Sequence, residues 1–120
     1  MKELDGKAAV VTGGGRGIGR AHCLQLAGAG AAVVVNDIDL AEAESCAAEI
    51  RGRGGRAVAD GSDIGTVAGA AQAVATCRSG FGQIDVMVAN AGIVRDRTFL
   101  KMSEDDVRAV MDVHFFGTFF

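Results

Sequence analysis

The sequence predicts an α/β fold with a parallel sheet, because strand-like and helix-like segments alternate along the chain. Apolar runs at residues 7–12, 31–37, 56–60 and 84–88 have the length and valine content of strands buried on both faces. The segments between them place apolar residues at steps of three and four, as on one side of a helix. Four strands with flanking helices make a partial doubly wound sheet that is incomplete at its C-terminus.

The first two helices are predicted from apolar stripes and from glycines that follow their last turns. The first helix is expected over residues 17–28, and its buried stripe is expected to contain Ile18, Ala21, Leu24 and Ala27. The second helix is expected to start near Asp39 and to bury Leu40, Ala43, Ala47 and Ile50. Gly54-Gly55 marks its end, since glycine accepts the left-handed conformation that caps a helix.

Two further helices follow the same pattern. The third is expected over residues 66–80, and the side chains expected to face inward are Val67, Ala70, Ala71, Val74 and Cys77. Ser103 is expected to open a fourth helix, with Asp106 three residues later completing a capping box. Its apolar face is expected to carry Val107, Val110, Met111 and His114.

Composition excludes several classes of protein. Apolar residues make up 49% of the chain, so intrinsic disorder is not expected. The 12 basic and 15 acidic side chains give no electrostatic basis for binding nucleic acid. No apolar stretch approaches the ~20 residues that span a bilayer, and no signal peptide precedes the first strand. A cytoplasmic protein without a membrane partner is expected.

The cysteines predict reduced thiols. Cys23, Cys46 and Cys77 are odd in number and far apart, and they include no Cys-x-x-Cys pair. This pattern indicates small apolar packing residues in a reducing compartment, not a disulfide framework or a zinc site. No metal site is therefore expected.

The end of the sequence predicts an incomplete chain. Four of the six phenylalanines fall in the last six positions, whereas natural termini are usually polar and lie at the surface. The chain contains no tyrosine and no tryptophan. We expect a fragment that stops within a secondary-structure element.

The main functional signal is the segment VVTGGGRGIG, which runs from Val10 to Gly19. A buried strand there leads into a turn without side chains and then into a helix start, which offers free backbone N–H groups to an anion. Asp37 lies 18 residues beyond Gly19 at the end of the second strand, where a carboxylate can accept hydrogen bonds from ribose hydroxyls. The alternative for Asp37 is a surface residue that caps the second helix. Together, loop and carboxylate predict a dinucleotide site.

Two motifs resemble those of the short-chain dehydrogenases/reductases. Residues 12–19, TGGGRGIG, match the family's TGxxxGxG loop, and Asn90-Ala91-Gly92 match its NAG motif after the fourth strand. The resemblance covers essentially the whole chain. It implies a Rossmann domain over residues 1–120 that stops before the catalytic Tyr and Lys of the family. It also implies a parent protein that transfers hydride between NAD(H) and a small alcohol or ketone and forms homo-oligomers.

The resemblance implies which residues surround the cofactor. Asp63 is expected to contact the adenine ring, to cap the third helix, or to do both. The expected shell consists of Thr12, Gly13, Gly15, Arg16, Gly17, Ile18, Gly19, Asp37, Asp63, Ile64, Asn90, Ala91 and Gly92.

Asp37 and Arg16 favour different cofactors. Asp37 favours the ribose diol of NAD and would repel the 2′-phosphate of NADP, whereas Arg16 stands where some NADP-using relatives carry a basic residue. We predict NAD, because an arginine at a helix start can point to solvent. The three arginines near the end of the second helix, Arg51, Arg53 and Arg56, are interpreted as a solvated helix end in preference to a phosphate-binding patch.

Catalytic residues are not identified with this sequence. His114 stands where the family usually has an asparagine, and it is either a substitute for that residue or a packed core histidine. The tyrosine that serves the family as general acid/base is absent. The segment from Ala91 to Phe99, with His114, resembles (3R)-hydroxyacyl-CoA dehydrogenases, which implies a 3-hydroxyacyl thioester substrate. The alternative function is a non-catalytic nucleotide-binding or interaction module.

Overall fold

A computed structural model describes residues 2–90 and confirms an α/β fold. Ala91 and Gly92, the predicted fourth helix and His114 lie outside the described residues. The described elements are β1 (Ala8–Thr12), α1 (Gly17–Gly28), β2 (Ala32–Asn36), α2 (Leu40–Gly52), β3 (Ala57–Asp60), α3 (Val67–Phe81) and β4 (Val86–Val88). Each lies within about two residues of the segment predicted for it.

The four described strands form one parallel sheet in the order β3-β2-β1-β4. The chain moves outward from β1 through β2 to β3 and then crosses back to place β4 on the other side of β1. Strand order therefore reverses between β1 and β4, and in open α/β sheets the crevice at the carboxyl ends of such strands is where ligands bind. The fold places the glycine loop, which follows β1, at this crevice.

Both faces of the sheet are covered. On one face, α1 and α2 enclose a cluster whose members include Val11, Val33, Val35, Cys46 and Ile50. On the other face, α3 packs over a second cluster that contains Ala8, Val10, Val34, Ile64, Ala73 and Cys77. Successive residues of β1 and β2 alternate between these two clusters, so both strands are buried on both sides.

The buried faces of the helices differ from the predicted stripes at their first turns. Ile18, Leu40 and Val67 were expected to face inward but are 72%, 51% and 64% exposed. Ala21 and Ala71 are exposed as well. In α1 the buried residues are Gly19 and Cys23, while Leu24 and Ala27 of the predicted stripe are partly buried and pack against the first cluster. The reason is steric, because a Cβ atom on Gly19 would lie 2.0 Å from the carbonyl oxygen of Gly13.

Side chains fix where α2 and α3 begin. Asp39 precedes α2 and its Oδ1 accepts the N–H of Glu42 at 3.3 Å, while Thr66 precedes α3 and its Oγ1 accepts the N–H of Gly69 at 2.9 Å. Both are N-caps that satisfy backbone donors which a helix leaves unpaired. Among residues 2–90, no helix has the length and apolar character needed to cross a membrane.

Candidate functional site

The glycine loop connects the end of β1 to the start of α1. Gly13 and Gly17 have φ values of 65° and 61°, in the left-handed region that favours glycine. The N–H of Gly14 donates to the carbonyl oxygen of Asn36 at 2.8 Å, which ties the loop to the end of β2. A Cβ atom on Gly17 would have no other atom within 4 Å, so the backbone at the helix start faces open space. A ligand can therefore approach the first turn of α1 closely.

Asp37 lies beside this loop and is only 7% exposed. Its Oδ2 accepts the N–H of Gly15 at 3.0 Å and its Oδ1 accepts the N–H of Asp39 at 3.0 Å. The alternative of a surface residue capping α2 is wrong, because Asp39 is the cap and Asp37 is buried against the loop. A negative charge is thus held in one orientation at the carboxyl end of β2.

Asn90 closes the site from the side of β4. Its N–H donates to Thr12 Oγ1 at 3.0 Å and its Nδ2 donates to the carbonyl oxygen of Gly13 at 3.3 Å. Thr12 is itself buried, and its hydroxyl donates to the carbonyl oxygen of Val88 at 3.3 Å. These bonds bring together the predicted residues Thr12, Gly13 and Asn90 from two neighbouring strands.

Arg16 and Ile18 are exposed at the mouth of the site. Arg16 is the N-cap of α1 with extended backbone, and its side chain does not cap the helix. Ile18 occupies the first turn and is 72% exposed. The helix start therefore presents one cation, one apolar side chain and unpaired backbone donors to an incoming ligand.

Asp63 lies at the surface, whereas the neighbouring Ile64 lies in the core. Asp63 is exposed, and its Oδ1 accepts the N–H of Gly65 at 2.9 Å. It is not the cap of α3, since Thr66 has that role. The Ile64 side chain is 8% exposed and packs in the cluster beneath α3, so only its backbone is available to a ligand.

Sequence reasoning missed a buried polar network behind the site. The Asp60 carboxylate is 7% exposed and accepts from Asn36 Nδ2 at 2.7 Å, from Ser62 Oγ at 2.9 Å and from Thr76 Oγ1 at 3.3 Å. Asn36 Nδ2 also donates to the carbonyl oxygen of Ser62 at 3.1 Å. Asp60 is the last residue of β3, and Asp37 directly follows β2. A polar residue at the end of each parallel strand was therefore the sequence feature that could have predicted this network.

An ion pair supports the loop from α1 and α2. Arg20 Nη2 lies 2.7 Å from Glu49 Oε1, and Arg20 Nη1 donates to the carbonyl oxygen of Gly15 at 3.3 Å. The hydrogen bond from Arg20 lowers the pKa of the Glu49 carboxyl, and it raises the pKa of Arg20 in turn. The Arg20 guanidinium therefore links the glycine loop to α2.

The arginines at the end of α2 have partners within the protein. Arg51 Nη1 donates to the carbonyl oxygen of Ala57 at 2.9 Å, Arg53 pairs with Glu49, and the Arg56 guanidinium lies 5.7 Å from the centre of the Phe81 ring. These contacts favour the interpretation as a helix end over a phosphate-binding patch.

The loop, the helix start and the buried carboxylate fit an adenine dinucleotide. Free N–H groups and the positive end of the α1 dipole suit a pyrophosphate, and Asp37 can accept from a ribose hydroxyl. The family model described as short chain dehydrogenase matches residues 7–120. The chain belongs to the short-chain dehydrogenase family. Members of this family bind nicotinamide cofactors, which agrees with the predicted site.

Three similar proteins place the chain within the family. A crystal structure of a short chain dehydrogenase from Mycobacterium avium superposes with a TM-score of 0.92 at 47% identity, over 97% of this chain and 43% of that one. A 7α-hydroxysteroid dehydrogenase, complexed with NADH and 7-oxo glycochenodeoxycholic acid, superposes with a TM-score of 0.90 at 36% identity, over 97% and 45%. The hydroxyacyl-CoA dehydrogenase ChsB1 of Mycobacterium tuberculosis is 44% identical over 98% of this chain and 38% of its own length. The chain spans less than half the length of each.

Proposed function

We propose that this chain is the NAD-binding part of a dehydrogenase whose complete polypeptide transfers hydride between NAD(H) and an alcohol or ketone. Bound NAD(H) supplies the hydride acceptor or donor, and residues 1–120 bind and orient it. The observation that carries the proposal is the buried Asp37 carboxylate, held at 3.0 Å by the N–H of Gly15 within the glycine loop. The NADH complex of the similar hydroxysteroid dehydrogenase supports the same cofactor class.

The charge of Asp37 supports NAD over NADP. Two unit charges 4 Å apart repel by about 4 kcal/mol at an effective dielectric constant of 20. Solvent reduces this figure at an open site, and the exposed Arg16 offsets part of it. We expect the chain to bind NAD about tenfold or more tightly than NADP.

The substrate class follows from the relatives. ChsB1 is named a hydroxyacyl-CoA dehydrogenase, and the chain shares 44% of its residues with the matched part of that protein. We propose a 3-hydroxyacyl thioester as substrate for the complete polypeptide, which acts as a homo-oligomer. The three unpaired cysteines support a reducing, cytoplasmic location.

The chain by itself is proposed to bind cofactor without turnover. It contains no tyrosine, and tyrosine is the general acid/base that the family resemblance implies. The residues of this chain would hold the cofactor in place: the loop backbone at its phosphates, Asp37 at its ribose and Asn90 beneath it.

Calorimetric titration of the chain with NAD and with NADP tests this proposal. Wild type is expected to bind NAD more tightly, and Asp37→Arg is expected to reverse the order by removing the repulsion and adding a cation. Asp37→Asn is the matched control, because it keeps the size of the side chain, removes its charge and replaces one of its two acceptor oxygens by an NH2 donor. An unchanged order of affinities in Asp37→Arg would refute the role of Asp37. Assays of the complete polypeptide with 3-hydroxyacyl-CoA and with a hydroxysteroid would test the substrate class.

A further inference from the structure

We propose that Gly15 is a specificity-determining residue, because its lack of a side chain leaves the space that the Asp37 carboxylate occupies. This inference rests on the proposed function of Asp37 in choosing NAD. It assigns to Gly15 a role other than contact with the cofactor. Gly15 positions the Asp37 carboxylate, and that carboxylate selects NAD over NADP.

The carboxylate is fixed before any cofactor binds. Both of its oxygens accept a backbone N–H at 3.0 Å, Oδ2 from Gly15 and Oδ1 from Asp39. The residue is 7% exposed, so water competes little for these bonds. A group that is already oriented loses little freedom when the ligand arrives, and this favours affinity.

A side chain at Gly15 would meet Asp37 and the first turn of α2. A Cβ atom there would lie 2.8 Å from Asp37 Oδ2, 2.8 Å from Glu42 Cβ and 3.0 Å from the Glu42 carbonyl carbon. The two Glu42 atoms belong to the first turn of α2 and move only with the helix. Of these three atoms only Asp37 Oδ2 lies at the end of a side chain, so we expect the carboxylate to be displaced, together with a shift of the loop away from Glu42.

The φ angle of Gly15 is outside the left-handed region that favours glycine. Gly15 is not among the described residues with positive φ, in contrast to Gly13 and Gly17. Gly15→Ala therefore acts through the contacts of the added methyl group and not through an unfavourable φ. The methyl group is expected to push the carboxylate away from the Gly15 N–H and out of the position that accepts from a ribose hydroxyl.

The expected consequence is a change in preference. NAD loses hydrogen bonds to a correctly placed carboxylate, whereas NADP loses part of the repulsion between that carboxylate and its 2′-phosphate. We expect the ratio of NAD to NADP affinity to fall about tenfold, equivalent to about 1.4 kcal/mol at 25 °C.

Gly14 provides a matched control in the same loop. Its φ is also not positive, and a Cβ atom there would lie 2.8 Å from Cys23 Sγ and 3.1 Å from Val35 Cγ1. Gly14→Ala thus introduces similar crowding that points into the core and away from Asp37. It is expected to weaken both cofactors by the same factor and to leave their ratio unchanged.

The test measures NAD and NADP affinity by calorimetry for the wild-type chain, Gly15→Ala, Gly14→Ala, Asp37→Ala and the double variant Gly15→Ala/Asp37→Ala. The expected result is a fall in the ratio for Gly15→Ala and for Asp37→Ala, with no further fall in the double variant. If Asp37→Ala leaves the ratio unchanged, the proposed function of Asp37 fails. If Asp37→Ala lowers the ratio and Gly15→Ala does not, or if Gly15→Ala lowers it equally without Asp37, the inference about Gly15 is overturned.

Asp37→Glu tests the same inference without changing the loop. It keeps the charge and moves the carboxylate by one methylene group from the Gly15 N–H. We expect a lower ratio of NAD to NADP affinity in this variant as well. If Asp37→Glu keeps the wild-type ratio of NAD to NADP affinity, the position of the carboxylate is immaterial and the inference is overturned. This test applies even if Gly15→Ala does not fold.

Discussion

Replacing Gly19 by alanine should destabilise the chain and abolish tight cofactor binding, although alanine is normally the better helix residue. In α1 a Cβ atom at this position would lie 2.0 Å from the Gly13 carbonyl oxygen and 2.5 Å from Asn90 Nδ2. Ordinary contact begins at 3.4 Å, so the loop or the helix must move by about 1.4 Å. That movement also separates Asn90 from its acceptor on Gly13.

The loss of stability in Gly19→Ala is estimated from two destabilising contributions and one stabilising contribution. Overpacking costs about 1–3 kcal/mol, and the lost hydrogen bond of Asn90 costs about 1 kcal/mol. The better helix propensity of alanine returns at most about 1 kcal/mol. We expect a net loss of about 2 kcal/mol in the free energy of unfolding, which lowers Tm by roughly 8 °C for a domain of this size.

Gly80 supplies the control for this substitution. It lies in the last turn of α3, and a Cβ atom there would have no other atom within 4 Å. Gly80→Ala is therefore expected to raise the free energy of unfolding by about 0.4–1 kcal/mol. Urea unfolding followed by circular dichroism would measure both variants, and calorimetry would measure NAD binding. Gly19→Ala with stability and NAD affinity equal to wild type would refute the reasoning.

Two further predictions concern titration and thiol chemistry. The Asp85 carboxylate accepts from the N–H of Ala8 at 2.9 Å and from the Gln83 side chain, which lowers its pKa below the ordinary 3.8. The stability that Asp85 contributes should be present at pH values above 3.8 and should be lost as the pH falls through the lower pKa of the folded chain. Asp85→Asn should therefore reduce the pH dependence of the free energy of unfolding in this acid range. Identical acid unfolding curves for the wild type and Asp85→Asn would contradict this. Cys23, Cys46 and Cys77 are buried, and burial raises the pKa of each thiol, so an aromatic disulfide reagent should react rapidly with all three only in denaturant. Rapid reaction in the native state would show that α1, α2 or α3 opens.

Alternation of apolar runs predicted the elements well, because each strand is buried on both faces and each helix ends at glycines. The bounds of α1 were predicted to the residue, and β1 was predicted one residue too long at its start. The faces of the helices were predicted less well. Ile18 and Gly19 are neighbours on one helix, and only the close approach of Gly13 determines which of them faces the sheet.

In the site as well, sequence spacing predicted some positions and did not predict contacts between distant segments. Spacing placed Asp37 beside the glycine loop, because both follow adjacent parallel strands. Spacing did not indicate that Thr66, three residues after Asp63, caps α3. Nor did it indicate that Asp60 would be buried with Asn36 and Thr76, since that network joins three elements that only the folded chain brings together.

The bonds from Asn90 to Thr12 and Gly13 also bear on the order in which we expect the site to form during folding. They join residues 78 and 77 positions apart, so we expect them to form after the crossover through β2, α2, β3 and α3. Contacts of such sequence separation form late and slowly, whereas α1 and its loop are local. A cofactor that binds only the folded site therefore stabilises the full crossover by mass action, and protection of β4 from hydrogen exchange would report its binding.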